Sequence, residues 1–166
     1  MESLVVNEYL KALSADWLIF PETWGISNIS GHKKRIDAVI ISKQDKNIKF
    51  GIEFKRIDIG AFNNFTAWFR QSLVYTQCNF GTIGKIPILI APSINYEDNL
   101  SLKFFCDRII GEFGIGQIER FYNKEQFCWI YKIKISGNTF YTTKAGETGY
   151  FNKSYTKMDF NSRLEL

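Results

Sequence analysis

Arg35-Ile36-Asp37-Ala38-Val39-Ile40-Ile41-Ser42 and Ile48-Lys49-Phe50-Gly51-Ile52-Glu53-Phe54-Lys55-Arg56 are the two stretches from which this chain is best read. Both are apolar, β-branched runs interrupted by charge, and both read as strands. Gln44-Asp45-Lys46-Asn47 between them is polar and turn-forming, which predicts an antiparallel hairpin. Side chains alternate faces along a strand, so Glu53 and Lys55 point one way and Phe54 the other. Asp37 precedes the turn by about as many residues as Glu53 follows it, so pairing brings the two carboxylates to roughly the same height. A carboxylate in a buried strand is costly unless something offsets it.

Asp37, Glu53 and Lys55 together suggest a metal-dependent hydrolytic site. Mg²⁺ takes one or two carboxylates and completes its shell with waters and substrate phosphate oxygens. A lysine beside it can orient or help deprotonate the attacking water, or stabilise charge developing on phosphorus. The competing reading is a cross-strand ion-pair cluster on an exposed sheet face; the apolar flanks weigh against it. The three residues resemble the motif of the PD-(D/E)XK nuclease superfamily, the restriction-endonuclease-like proteins. Ile36 stands where that motif usually has a proline.

The surroundings agree with the resemblance in order over about residues 2 to 120. A helix is predicted over Glu2–Leu13, with Leu4/Val5, Glu8/Tyr9 and Ala12/Leu13 at helical spacing. A short strand, Trp17–Phe20, ends at Pro21-Glu22, and a polar loop leads through Gly31-His32-Lys33-Lys34. After the Glu-Phe-Lys strand come a helix over Phe62–Cys78, a buried strand over Ile86–Pro92, a helix over Leu100–Phe113, and a glycine-flanked strand around Phe113–Ile118 that resembles the closing strand of the core. Gln71 and Tyr75 lie four residues apart, on one helix face; many nucleases of the superfamily carry such a pair.

The resemblance implies an α/β fold with a restriction-endonuclease-like αβββαβ core and a mixed central sheet. It implies DNA phosphodiester hydrolysis with Mg²⁺ or Mn²⁺, RNA remaining open as a substrate. Asp37, Glu53 and the backbone carbonyl of Phe54 would bind the metal, Lys55 would position the water, and Gln71 and Tyr75 would brace the site. An acid near the N-terminus completes related sites; Glu2, Glu8 and Glu22 are candidates, with Glu8 favoured and Glu22 second. His32, Lys33, Lys34 and Arg35 read either as a solvated turn or as a clamp on backbone phosphates, which positions nucleic acid without reading its sequence. Arg56 is assigned to the same binding set, although alternation turns it away from the face of Glu53 and Lys55. Two other readings are a structure-selective junction resolvase, which a homodimer would suit, and a catalytically silent nuclease-like binding module.

Composition bounds these readings. The 166 residues, 45% hydrophobic and 16% aromatic, fit one domain with one good core. The formal charge of +4 permits a polyanionic partner without requiring one. No apolar run reaches membrane-spanning length, and the acidic, unprocessed-looking start predicts a cytoplasmic protein. Cys78, Cys106 and Cys128 lack metal-ligand spacing and read as reduced thiols. His32 is the single histidine, which argues against a zinc site or a serine triad. Gly25, Gly31 and Gly60 form no phosphate-cradling loop.

Beyond residue 120 the character changes. Phe127–Ile135 and Thr139–Lys144 read as strands joined by a Ser136-Gly137-Asn138 turn, followed by a polar, aromatic-dotted stretch. The expectation is an appended β element and tail, either a sheet extension or an arm using Lys144, Lys153 and Lys157 on phosphates and Tyr150, Phe151 and Tyr155 on bases.

Overall fold

The computed structural model describes residues 2–55, 61–93, 100–145 and 147–152. In chain order it contains helix α1 (Glu2–Leu13), strands β1 (Trp17–Ser27), β2 (Lys33–Ser42) and β3 (Lys49–Phe54), helix α2 (Ala61–Thr76), the two-residue strand β4 (Cys78–Asn79), β5 (Ile88–Ala91), helix α3 (Leu100–Glu112), and strands β6 (Ile115–Asn123), β7 (Cys128–Ile135), β8 (Asn138–Lys144) and β9 (Glu147–Phe151). The strands form one mixed sheet in the order β4-β1-β2-β3-β5-β6-β7-β8-β9. Pairing is parallel between β3, β5 and β6 and antiparallel elsewhere. The parallel pairs are those joined through α2 and α3, because a crossover is needed to return a strand in the same direction. No helix among the described residues is long and apolar enough to cross a membrane.

The helices cover opposite faces. Tyr9 and Leu13 of α1 pack with Trp17 against Ala38, Ile40, Phe50 and Ile52. Each fully buried side chain of this size contributes roughly 1.5–3 kcal/mol relative to exposure. On the other face Tyr75 of α2 packs with Val39 and Ile88. Trp68, Phe69 and Leu73 of α2 lie against Ile90, Ile115 and, from α3, Cys106 and Ile110. The sheet curls around α1: Trp17 at the start of β1 meets Tyr141 of β8 at 5.4 Å and Phe151 of β9 at 5.5 Å between ring centroids. These strands lie far apart in the sheet order, so only strong curvature brings them together.

Two sequence expectations change here. The first strand does not stop at Pro21-Glu22; it runs to Ser27 and pairs with β2 from Trp17–Ser42 to Ile26–Lys33. Among the described residues the outer side of β1 is paired only at Ile26 and Ser27, by β4, so Pro21 lies where no described strand needs its N–H. The strand after α3 also fails to close the sheet. β6 extends to Asn123 and continues through β7, β8 and β9, so the C-terminal β element is a sheet extension, one of the readings the sequence left open.

Candidate active site

β2 and β3 pair as the hairpin the sequence predicts, with Ala38 opposite Ile52 and Val39 opposite Gly51. One step further along this register sets Asp37 opposite Glu53. Ile36 and Val39 belong to the same apolar cluster, whereas Ala38 and Ile40 belong to the cluster on the other face. Strict alternation would put Ile36 with Ala38. The phase of β2 therefore breaks at Asp37. Its neighbour on β1 carries the matching distortion: Glu22, between the Pro21–Ala38 and Thr23–Ile36 pairs, has φ 48°. Left-handed backbone at a non-glycine residue costs on the order of 1 kcal/mol and gathers at functional sites.

Asp37 Oδ2 accepts the Phe54 backbone N–H at 2.7 Å, which fixes the carboxylate across the end of β3. Glu53 is buried, 6% exposed. Its Oε1 accepts from Lys55 Nζ at 2.8 Å and from Gln71 Nε2 at 2.6 Å, while its Oε2 is buried without a hydrogen-bond partner. Gln71 Oε1 accepts a second bond from Lys55 Nζ. Tyr75 Oη lies 3.2 Å from Gln71 Nε2 and donates to the Arg35 carbonyl at 2.8 Å. Lys55 follows the last residue of β3, and its backbone N–H donates to the Ala91 carbonyl, so its position is held by β5 as well.

The electrostatics follow from burial. Desolvation pushes the Glu53 carboxyl above its ordinary value, Lys55 pulls it back, and the Asp37 charge adds to the rise. The Tyr75 phenol is likewise raised, mainly by burial. Lys55 and Glu53 have side chains only 9% and 8% exposed. An ion pair of this kind stands or falls by its remaining hydrogen bonds, and Gln71 supplies one to each partner.

Asp37, Glu53, Lys55, Gln71 and Tyr75 thus come together, as the sequence predicts. Glu8 does not join them. α1 packs on the opposite face of the sheet, and Glu8 pairs with Arg120 of β6 at 3.2 Å. Glu22 stands on the strand beside Asp37, but its carboxylate is exposed and pairs with Arg35 at 3.2 Å. Glu2 is the first residue of α1. His32 and Lys33 are exposed where β2 begins, Lys34 is half-buried on the side of Cys78, and Arg35 is held by Glu22. Arg56 lies outside the described residues. The Arg35 and Ala91 carbonyls and the distortion at Glu22 escape sequence reasoning, since main-chain partners leave no residue-type signal.

A cation site can be tested against these atoms. Among the described residues no group of three or more His, Cys, Asp or Glu side chains gathers to hold an ion. Two carboxylates remain, one with a buried, unpartnered oxygen. Such a donor set suits a hard cation that keeps several waters and does not suit zinc, which takes nitrogen and sulfur ligands.

Comparison of the chain with protein-family models, with curated proteins and with solved structures finds no match.

Proposed function

We propose that this chain is a metal-dependent nuclease of the PD-(D/E)XK, restriction-endonuclease-like type, hydrolysing phosphodiester bonds in DNA in the cytoplasm. The observation that carries the reading is the meeting of Asp37, Glu53 and Lys55 at one end of β3, braced by Gln71 from α2. The order helix, three-strand meander, helix, strand, helix, strand supports it. Asp37 and Glu53 Oε2 would hold Mg²⁺ or Mn²⁺, with the Phe54 carbonyl beside them. When bound, such an ion polarises a phosphate and lowers the pKa of a bound water.

The chain's own residues do the rest. Lys55 is held by two acceptors, so its ammonium is aimed rather than mobile, and burial reduces the screening of its charge. It would orient the attacking water and stabilise the negative charge that grows on the phosphate oxygens. Gln71 keeps Lys55 and Glu53 at hydrogen-bonding distance, and Tyr75 ties Gln71 to the β2 backbone. His32, Lys33 and Lys34, where β2 begins, would hold flanking phosphates.

The test is cleavage of supercoiled, linear, single-stranded and four-way DNA, and of RNA, with Mg²⁺, Mn²⁺ or EDTA. Cleavage should require metal and fall at least ~100-fold in Lys55→Ala and in Asp37→Asn, the scale of a lost general acid–base or positioning group. Preference for four-way DNA would place the protein among resolvases. Undiminished cleavage by both variants, or none by folded wild-type protein that binds metal, would sink the reading, and the latter would leave a binding module.

A further inference from the structure

β1 leaves part of its outer edge open. Among the described residues β4 pairs with β1 only at Ile26 and Ser27, and no strand pairs with the outer side of Trp17–Pro21. The direction of the free main-chain groups follows from the neighbouring ladders. In an antiparallel ladder, residues that exchange both hydrogen bonds with one neighbour alternate with residues that face the other way. The Lys43 N–H donates to the Asp16 carbonyl, and the Ser42 N–H donates to the Ile48 carbonyl of the next strand. Carried along the β1–β2 register, this makes Asp16, Leu18 and Phe20 bond inward to β2. Trp17, Ile19 and Pro21 therefore present their main-chain groups outward. Pro21 supplies a carbonyl there and no N–H.

The side chains along this edge are apolar. Leu18 stands opposite Ile41 and Phe20 opposite Val39. Both partners pack in the cluster that Tyr75 of α2 joins, so Leu18 and Phe20 lie on the α2 side of the sheet, 40% and 44% exposed. Trp17-Leu18-Ile19-Phe20-Pro21 contains no charged residue. The next residue, Glu22, is held by Arg35 of its own chain. Charge, proline and local distortion are the usual guards against pairing at an open edge. Here the guards, Pro21 and the left-handed Glu22, stand only at the end of the run.

We propose that two copies of this chain associate through β1, edge to edge and antiparallel, about a two-fold axis at Ile19. A two-fold contact requires a surface that matches itself, and this register does. Ile19 exchanges both hydrogen bonds with Ile19 of the partner subunit. The Trp17 N–H of each copy donates to the Pro21 carbonyl of the other, so the missing proline N–H forfeits only the outermost bonds. Leu18 of each copy stands opposite Phe20 of the other. These are non-hydrogen-bonded pairs, the closer kind, about 4.5 Å between Cα atoms. The two pairs lie side by side and cover each other's apolar surface, and no charge opposes the approach. An axis at Phe20 would bring the missing N–H to the middle of the ladder, and one at Leu18 would set Phe20 against Asp16 in the turn before β1. Five residues a side fall short of the roughly 800 Å² per partner of a standard interface, so the association is reversible, with a dissociation constant on the order of micromolar. The axis stands normal to the sheet, so the α2 sides of both copies, with their Asp37–Glu53 pairs, face one way. The association needs nothing from the nuclease reading.

The test is sedimentation equilibrium of the full chain over concentrations that bracket the micromolar range. Wild-type protein should pass from monomer to twice that mass. Leu18→Lys and Phe20→Lys should each raise the dissociation constant at least ~10-fold with an unchanged urea midpoint. Ile29→Lys, at an apolar residue 78% exposed but off the paired run, should leave it unchanged. Register is read by disulfide trapping. A mixture of Leu18→Cys and Phe20→Cys proteins should give a linked dimer on mild oxidation, because about 4.5 Å falls within the separation a disulfide spans. Neither protein alone should link above wild-type, whose own three cysteines set the background. A monomer at every concentration would overturn the inference and leave the edge to be covered from within the chain or by a different protein. A dimer that survives both lysine variants, that Ile29→Lys weakens equally, or that links through one cysteine variant alone would overturn it too, by placing the contact elsewhere or in another register.

Discussion

Glu53 shows in one residue how a costly group is retained. Its neighbours Ile52 and Phe54 are apolar, and its carboxyl is buried with one oxygen paired to Lys55 and Gln71 and the other unpaired. Burial raises its pKa, so the folded state favours the protonated form. The stabilising contribution of that shift is therefore present at low pH and is lost as pH rises through the folded-state pKa. A divalent cation would relieve this. Saturating Mn²⁺ or Mg²⁺ at about 100 times its dissociation constant should add about 2.7 kcal/mol. For a domain of this size that is roughly 5–10 °C in Tm, read by differential scanning fluorimetry, and most of it should vanish in Asp37→Asn. Since the proton and the cation compete for Glu53, the metal-induced rise should fade on acidification at a pH above the ordinary carboxyl value of 4.5. A rise that persists unchanged below that value would assign the cation to other ligands.

Among the elements, the hairpin of β2 and β3 and helix α1 were the most legible. The α1 boundaries follow from apolar residues at helical spacing, and Tyr9 and Leu13 are the fully buried pair that spacing implies. Gln71 and Tyr75 were readable as partners because four residues make one helical turn. The C-terminal strands were harder to read, because β8 breaks alternation: Phe140 and Tyr141 are consecutive yet both buried, at a register shift in the β7–β8 ladder that leaves Phe140 between the Tyr141–Ile133 and Thr139–Lys134 pairs. Tight pairing there depends on Gly149, where a Cβ would come within 2.4 Å of Tyr141 Oη and 2.6 Å of the Thr142 carbonyl. Gly149→Ala should cost about 1–3 kcal/mol as overpacking against backbone, seen as a lower urea midpoint with an unchanged slope. A neutral substitution would mean that β9 is not held against β8 as described.

Across the whole molecule, one buried carboxylate joins the two ends of the curled sheet. Asp16, in the turn between α1 and β1, is 2% exposed and accepts from Tyr141 Oη at 2.7 Å and from the Gly149 backbone N–H at 2.5 Å. The same contact, with burial, drives the Tyr141 phenol far above its ordinary pKa. Asp16→Ala strands one buried donor and one part-buried donor and should cost about 3 kcal/mol, measured by chemical denaturation, with Asp16→Asn costing less. An Asp16→Ala protein as stable as wild-type would show that aromatic packing alone closes the curl.

By itself the sequence determined the local grammar: where helices and strands run, and which polar residues fall on the same face as Glu53. Those facts depend on periods of 3.6 and 2 and on turn chemistry, all of which act over a few residues. Only the tertiary structure decided which sheet face each helix covers, and hence that Glu8 belongs to Arg120 and not to Asp37 and Glu53. It alone carried β1 past Pro21, which is a matter of an uncovered edge, and built the last strands into the same sheet. The phase break at Asp37, the anchoring of Tyr75 on a main-chain carbonyl, and the overhang of β6 past β3 and β5 are likewise products of register and curvature. Those quantities are fixed by contacts between residues far apart in the chain, and no local pattern encodes them.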